Sequence, residues 1–292
     1  MEHRFPRTLW RVFVLLVVAA CGLYSGLPAA MPSDVLRYAP VNPPSDTSDM
    51  DDFPSQPPVA LRNQATSSFS FLHPEQGSRQ APVGMRMRQV LFAASGNKLT
   101  VSDARGTYLY ATNSRLFTAH DNADVYDAQS GKSLASVWKW LVSLHATYEI
   151  ETYEPLACTK WSSAQATNAS ASNVPTYPFL RMTKLNWSWQ NHWVVQKYTC
   201  DEDVMVDAFT IQERFWPQLY LRLDVRQVGI PAPVATIDQP YLFEMSSHFN
   251  IWTGAGSDPS LTALMATVLH MHRDYIRRSR DSGGSRRRNN GR

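Results

Sequence analysis

The sequence predicts a mainly β protein: a strand-rich sandwich or barrel built around one buried C-terminal helix. Two observations predict it. Asp258–Arg278 has a helical pattern with no polar face. Residues 85–249 break into roughly a dozen short extended runs, separated by turn residues at the spacing of an all-β domain.

The helix is the plug. Asp258 is a good N-cap, and Pro259 follows where a helix tolerates proline. Leu261, Leu264, Met265, Val268, Leu269, His272, Tyr275 and Ile276 keep i, i+3, i+4 spacing. The reverse side is Thr262, Ala263, Ala266, Thr267 and His270, and no charge falls between Asp258 and Arg273. A surface helix would carry a polar face, so this one is buried. It is shorter than the run of about 20 apolar residues that spans a bilayer. Arg273, Arg277 and Arg278 gather at its C-terminal end, where the helix dipole favours cations.

The shell begins at Met85–Ala93, followed by Lys98–Ser102 and a turn at Asp103–Gly106. Thr107–Ala111 and Arg115–Ala119 read as two strands with Asn113 between them; Asp124–Asp127 is brief, and Gln129–Lys132 turns. Leu134–Leu141 alternates with Trp138 and Trp140 on one face, and Ala146–Tyr153 alternates again. Residues 158–174 are polar and read as a surface loop. Met182–Trp189 and His192–Thr199 make a hairpin about Gln190-Asn191. Val204–Phe209, Leu219–Val228, Val234–Ile237 and Tyr241–Phe249 complete the run. Closure would remove exposed strand edges, which invite aggregation.

The two ends differ from this core. The net charge of +3 comes from +6 in residues 277–292 and +2 in residues 1–30, leaving −5 for residues 31–276. A mildly acidic body argues against a folded nucleic-acid surface. Arg4, Arg7 and Arg11 followed by apolar Val12–Ala20 form a signal peptide over residues 1–30, with cleavage near Ala29 or Ala30. Two alternatives stay open: an uncleaved anchor running through Leu27, and a lipoprotein site at Cys21 within VAAC. Residues 31–84 hold nine of the 19 prolines without apolar period and read as a disordered linker. Residues 279–292 lack any apolar side chain and read as a disordered basic tail.

Export suits the cysteines. Beyond Cys21, only Cys158 and Cys200 remain, and they are read as a disulfide, with two buried thiols as the alternative. Between them lie two glycosylation sequons, at Asn168 and Asn186.

Residues 108–150 resemble the LURP-one-related proteins, of the tubby C-terminal-like and phospholipid scramblase group. The likeness rests on the turn from Tyr126-Asp127 to Gly131-Lys132, the strand after it, and Ser143-Leu144-His145 leading into Tyr148-Glu149-Ile150. Asp258-Pro259-Ser260-Leu261 is similar to the start of that family's core helix, so the resemblance covers about residues 85–278. It implies a closed barrel of about twelve strands around a central hydrophobic helix over residues 259–277. For activity it implies little: phosphoinositide binding in tubby proteins, calcium-dependent lipid movement in scramblases, defence in the plant members. This chain departs from that group in its export signal and acidic body, so no headgroup-binding residue carries over.

No G-x-S-x-G, H-E-x-x-H or P-loop is present. His270 and His272 are two apart, which points them to different sides of a helix, as core histidines. Asp121–Asp124 with Asp127, and Asp201–Asp203 with Asp207, read as solvated turns, lacking the oxygen spacing of a calcium loop. Gly254–Ser257 reads as a loop needing glycine freedom. Trp138 with Trp140, and Trp187 and Trp189 with Trp193, read as barrel core rather than a glycan or lipid platform.

The resulting expectation is a secreted, monomeric, non-enzymatic binding or interaction protein, with a role in defence or in contact with a host. No catalytic residue, metal or cofactor is assigned. Its partner is a protein, or an anionic lipid or polysaccharide met by the basic tail. A membrane takes part only if the N-terminal segment is retained. A membrane-anchored lipid-handling protein and an enzyme with a site at the barrel mouth are the alternatives. Peptide mapping under non-reducing conditions is expected to recover Cys158 and Cys200 in one linked fragment; two separate alkylated cysteines would refute the bridge.

Overall fold

In the computed structural model, the described residues are 61, 81–90, 98–115, 122–141, 143–153, 176–185, 191–199, 204–214, 221–239 and 248–288. The chain divides into a unit of residues 1–34 and a unit of residues 35–292, and every described residue belongs to the second.

Twelve strands form it: β1 Val83–Val90, β2 Lys98–Asp103, β3 Tyr108–Arg115, β4 Asn122–Asp127, β5 Ser133–Lys139, β6 Thr147–Thr152, β7 Tyr177–Lys184, β8 His192–Thr199, β9 Val204–Glu213, β10 Leu221–Gln227, β11 Ala235–Gln239 and β12 His248–Thr253. One helix, α1 Pro259–Arg288, follows. Each strand pairs antiparallel with its neighbours in sequence, and β1 pairs with β12 to close the barrel. The expected fold is the observed one.

Period-two alternation supplies the wall. Met85 and Met87, Val137 and Ala135, Tyr148 and Ile150, Leu223 and Val225, and Phe249 and Ile251 all belong to one buried core. That core includes both sides of the helix: Leu264, Met265 and Val268 are buried, and so are Ala263, at 3% exposure, and Ala266. An α-helix is about 10–12 Å across with its side chains, so a barrel of this strand number has room for one.

Several polar groups of the helix and the wall around it are satisfied locally. Asp258 caps the helix as expected: its Oδ1 accepts from the Ser260 N–H at 2.8 Å. Thr267 Oγ1 donates to the Ala263 carbonyl at 2.9 Å, and the Tyr110 hydroxyl shares a 2.9 Å hydrogen bond with Ser260. The chain turns into the helix through Gly256, at φ 72°, a conformation that favours glycine.

Several boundaries differ from expectation. β3 is one strand through Asn113, because Asn113 pairs with Asp124 in the β4 ladder. β7 starts at Tyr177 and contains Pro178, which sits at a register shift against Ile150/Glu151 where its missing N–H is tolerated. β1 begins at Val83, within the expected linker. α1 continues through the expected tail as far as Arg288. Asn122–Asp127 is a strand rather than a turn, and Asp124 is buried and accepts from the Tyr153 hydroxyl at 2.8 Å. Trp138 and Trp140 are not core: they stack with centroids 6.2 Å apart on the outer wall, and Trp140 is 36% exposed. Trp193 is core; Trp187 and Trp189 lie outside the described residues.

Val268→Asp would bury an unpaired charge costing several kcal/mol, against a total stability of about 5–15 kcal/mol, and is expected to abolish folding. Ala263→Asp is expected to be nearly as harmful, and Leu264→Ala to cost about 2–5 kcal/mol. Normal expression and an unchanged Tm for Ala263→Asp would place the helix on a surface and contradict the enclosed arrangement.

Candidate functional site

The two ends of the barrel differ. At one, the chain enters α1 through the Asp258 cap. At the other, the helix leaves, and burial stops abruptly: Asp274 is buried, whereas Tyr275 and Arg277 are exposed. The walls there come from the end of β7, the start of β8, the starts of β10 and β12, and the end of β11. With the helix they enclose a cavity of about 350 Å³.

Its depth is apolar: Trp193, Leu221, Leu223, Phe249, Leu269 and Ile276. Its polar groups are Lys184, Asn191, Gln239, His272, Arg273 and Arg277, and no carboxylate lines it among the described residues. Lys184 follows Leu180 and Met182 on the inward phase of β7, which brings an ammonium to the rim of an otherwise apolar face. Burial pushes its pKa down, against the opposing field of Glu213. Glu213 shares the inward phase of β9 with Ile211 and pairs with Leu223 across the ladder; it accepts from the Asn191 side-chain amide at 2.8 Å and its backbone N–H at 3.1 Å, and so holds Asn191 in place. Arg277 approaches Asp274 at 3.8 Å, and Asp274 also faces His270 at 3.9 Å.

His272 is a buried polar group of this lining. It is 9% exposed and clasped edge-on by Trp193 and Tyr148, with ring centroids 5.0 Å and 6.0 Å away. Its Nδ1 lies 3.4 Å from the Tyr148 hydroxyl, and its Nε2 has no hydrogen-bond partner. Burial first, then the fields of Lys184 and Lys139, lower its pKa to about 4, so the ring is neutral at pH 7. Arg273 Nη1 is a second buried atom without a partner on this rim. A buried donor left unpaired costs about 1–3 kcal/mol, so two at one cavity are a feature to be explained.

A second cavity of about 310 Å³ lies beside the first, under the β5–β6 connection, lined by Lys139, Trp140, Leu141, Leu144, His145 and Tyr275 among others. Lys139 places its ammonium over the Tyr275 ring, 2.8 Å from the centroid. Leu144, at 92% exposure, and Leu141 project into solvent here, and Arg181 lies over Trp140 at 5.1 Å while pairing with Glu149.

Cys158, Cys200, Asn168, Asn186 and Asp201–Asp203 lie outside the described residues. His270 and His272 are core histidines on different sides of the helix, as expected, His270 packing edge-on to Phe249. Among the described residues no cluster of His, Cys, Asp or Glu has the geometry to hold a metal ion. Asp207 is bound by the Gln196 amide at 2.9 Å, and Asp127 fastens the β4–β5 turn through the Gln129 and Ser130 N–H groups. The Lys184–His272–Arg273 mouth was not singled out from sequence. The available signal was a lysine continuing the inward phase of β7, opposite the first charged residue of an otherwise uncharged helix.

No protein-family model matches the chain, and no curated protein matches it. Among solved structures the chain is similar to the X-ray structure of an Arabidopsis thaliana protein, AT5G01750. The identity is 13%, the match covers 68% of this chain and 95% of that one, and the TM-score is 0.43.

Burial also lowers the His270 pKa to about 4, against the attraction of Asp274. Both histidines therefore sit below the unfolded value near 6.5. The unfolded chain binds more protons between about pH 6.5 and 4, so these rings contribute stability that is lost as pH falls through that window, on the order of 3 kcal/mol each. The Tm is expected to fall from pH 7 to pH 4, and less steeply in the His270→Gln/His272→Gln double variant. Equal slopes in both proteins would exclude the histidines as the cause.

Proposed function

We propose that this chain is a secreted, non-enzymatic binding protein that holds a small molecule at the helix-exit mouth of its barrel. One observation carries the reading: the barrel interior is filled by α1, and beside the helix at its exit a cavity remains whose lining suits binding. About 350 Å³ falls in the size range of small-ligand sites, and an apolar body with a few converging polar groups is their usual make-up. Among the described residues the lining supplies cations, amides and a neutral imidazole, and no hydroxyl, thiol or carboxylate. The segment of residues 1–30 supports export, and the sequons at Asn168 and Asn186 agree with it.

Full-length chain expressed in a secreting host is expected in the medium, with a mass that begins after Ala29 or Ala30; retention in the membrane fraction would refute secretion. The uncharged fluorescent probe N-phenyl-1-naphthylamine is expected to bind this protein at one site and to be recovered unchanged. Ile276→Trp, which fills the cavity from the helix side, is expected to abolish that binding while preserving the Tm. Failure of the parent to bind the probe, or binding unaffected by Ile276→Trp, would overturn the mouth as the site.

A further inference from the structure

We infer that the mouth cavity takes a small amphipathic organic anion, a carboxylate or phosphate on an aliphatic body, with the anionic head between Lys184, His272 and Arg273 and the body against Trp193, Leu223, Phe249 and Leu269. The inference rests on the reading of the mouth as a ligand site and names the chemical class of that ligand.

Three facts point to an anion. The two buried polar atoms without partners at this cavity, His272 Nε2 and Arg273 Nη1, come from adjacent residues of α1 at its rim. Arg273 Nη1 is a donor in every state. His272 Nε2 is a donor when the Tyr148 hydroxyl donates to Nδ1, the tautomer that leaves the N–H on Nε2. The charged side chains in the lining, Lys184, Arg273 and Arg277, are all cations. The nearby carboxylates are already engaged: Glu213 by Asn191, and Asp274 by His270 and Arg277. An anionic head would relieve the mutual repulsion of the cations, and a rotation of either side chain would bring its orphaned nitrogen, closed off from the cavity here, onto an acceptor.

Two further facts point to an aliphatic body. Below the rim the cavity walls are the indole of Trp193 with Leu223, Phe249 and Leu269, and among the described residues they present no polar group beyond the rim set. A bare phosphate or sugar would leave that apolar surface wet, whereas a chain of several methylenes gains about 0.8 kcal/mol for each one buried.

Decanoate and decyl phosphate are the probes, with 1-decanol as their uncharged counterpart. Calorimetry on the mature protein is expected to show both anions binding at one site, about tenfold or more tighter than decanol. Arg273→Met and Lys184→Met are each expected to weaken decanoate about tenfold more than they weaken decanol. Both side chains are partly exposed, and an unchanged Tm checks that the variants fold. Equal binding of decanol and decanoate would overturn the anion assignment and leave the mouth site standing. Absence of binding by any probe would overturn both. Co-sedimentation with phosphatidylserine vesicles in the absence of decanoate binding would give the cations to a membrane surface and overturn the inference as well.

Discussion

A helix with no polar face cannot rest on a surface, and the rest of this molecule follows from that constraint. Between Asp258 and Arg273 the chain offers only apolar, small or hydroxyl side chains and one buried histidine pair. One face of an open sheet would cover half of such a helix. A closed antiparallel barrel covers all of it, and closing β1 on β12 also pairs every strand on both sides. The hydroxyls stay buried at little cost because they bond within the helix or to the wall, as Thr267 does to Ala263 and Ser260 to Tyr110.

The same constraint locates the site. Deep in the barrel the helix fills the space and the inward positions of the strands must be apolar. At the exit the helix turns charged at Arg273, and the inward phase of the wall changes with it: Lys184 follows Met182 on β7, and Lys139 follows Val137 on β5. Charges converge where the walls stop touching the helix, and a cavity opens among them. Desolvation holds His272 neutral at this boundary, with one nitrogen against Tyr148 and the other buried without a partner. The mouth thus joins buried core side chains, Trp193, Leu223, Phe249 and Leu269, to a charged rim.

Much of this was legible in the chain. The helix, its Asp258 cap, the strand-rich shell and the Asp103–Gly106 and Gln129–Lys132 turns follow from local pattern. The errors share a cause. Asn113 looks like a turn residue, yet its place between two paired strands holds it extended. Pro178 argues against a strand until the shift opposite it is known. Trp138 and Trp140 were assigned to one face correctly and to the wrong side of the wall, because period two says which residues share a face and nothing about which face is inside. Asp124 reads as a solvated turn residue until Tyr153, just beyond the end of β6, is seen to bond it.

The sequence by itself determined the class of fold, because hydrophobic periodicity is a local property. A run that is apolar all round must be enclosed, and alternating runs must supply the enclosure. It also determined where charge ends and begins along the helix. Only the tertiary structure decided that Lys184, His272 and Arg273 share one cavity, that Glu213 binds Asn191 beside it, and that two buried nitrogens lack partners. Those are relations between residues brought together across β7, β9 and α1 by strand register and helix rotation. No local pattern carries that information, since proximity across a barrel is set by how the whole wall closes.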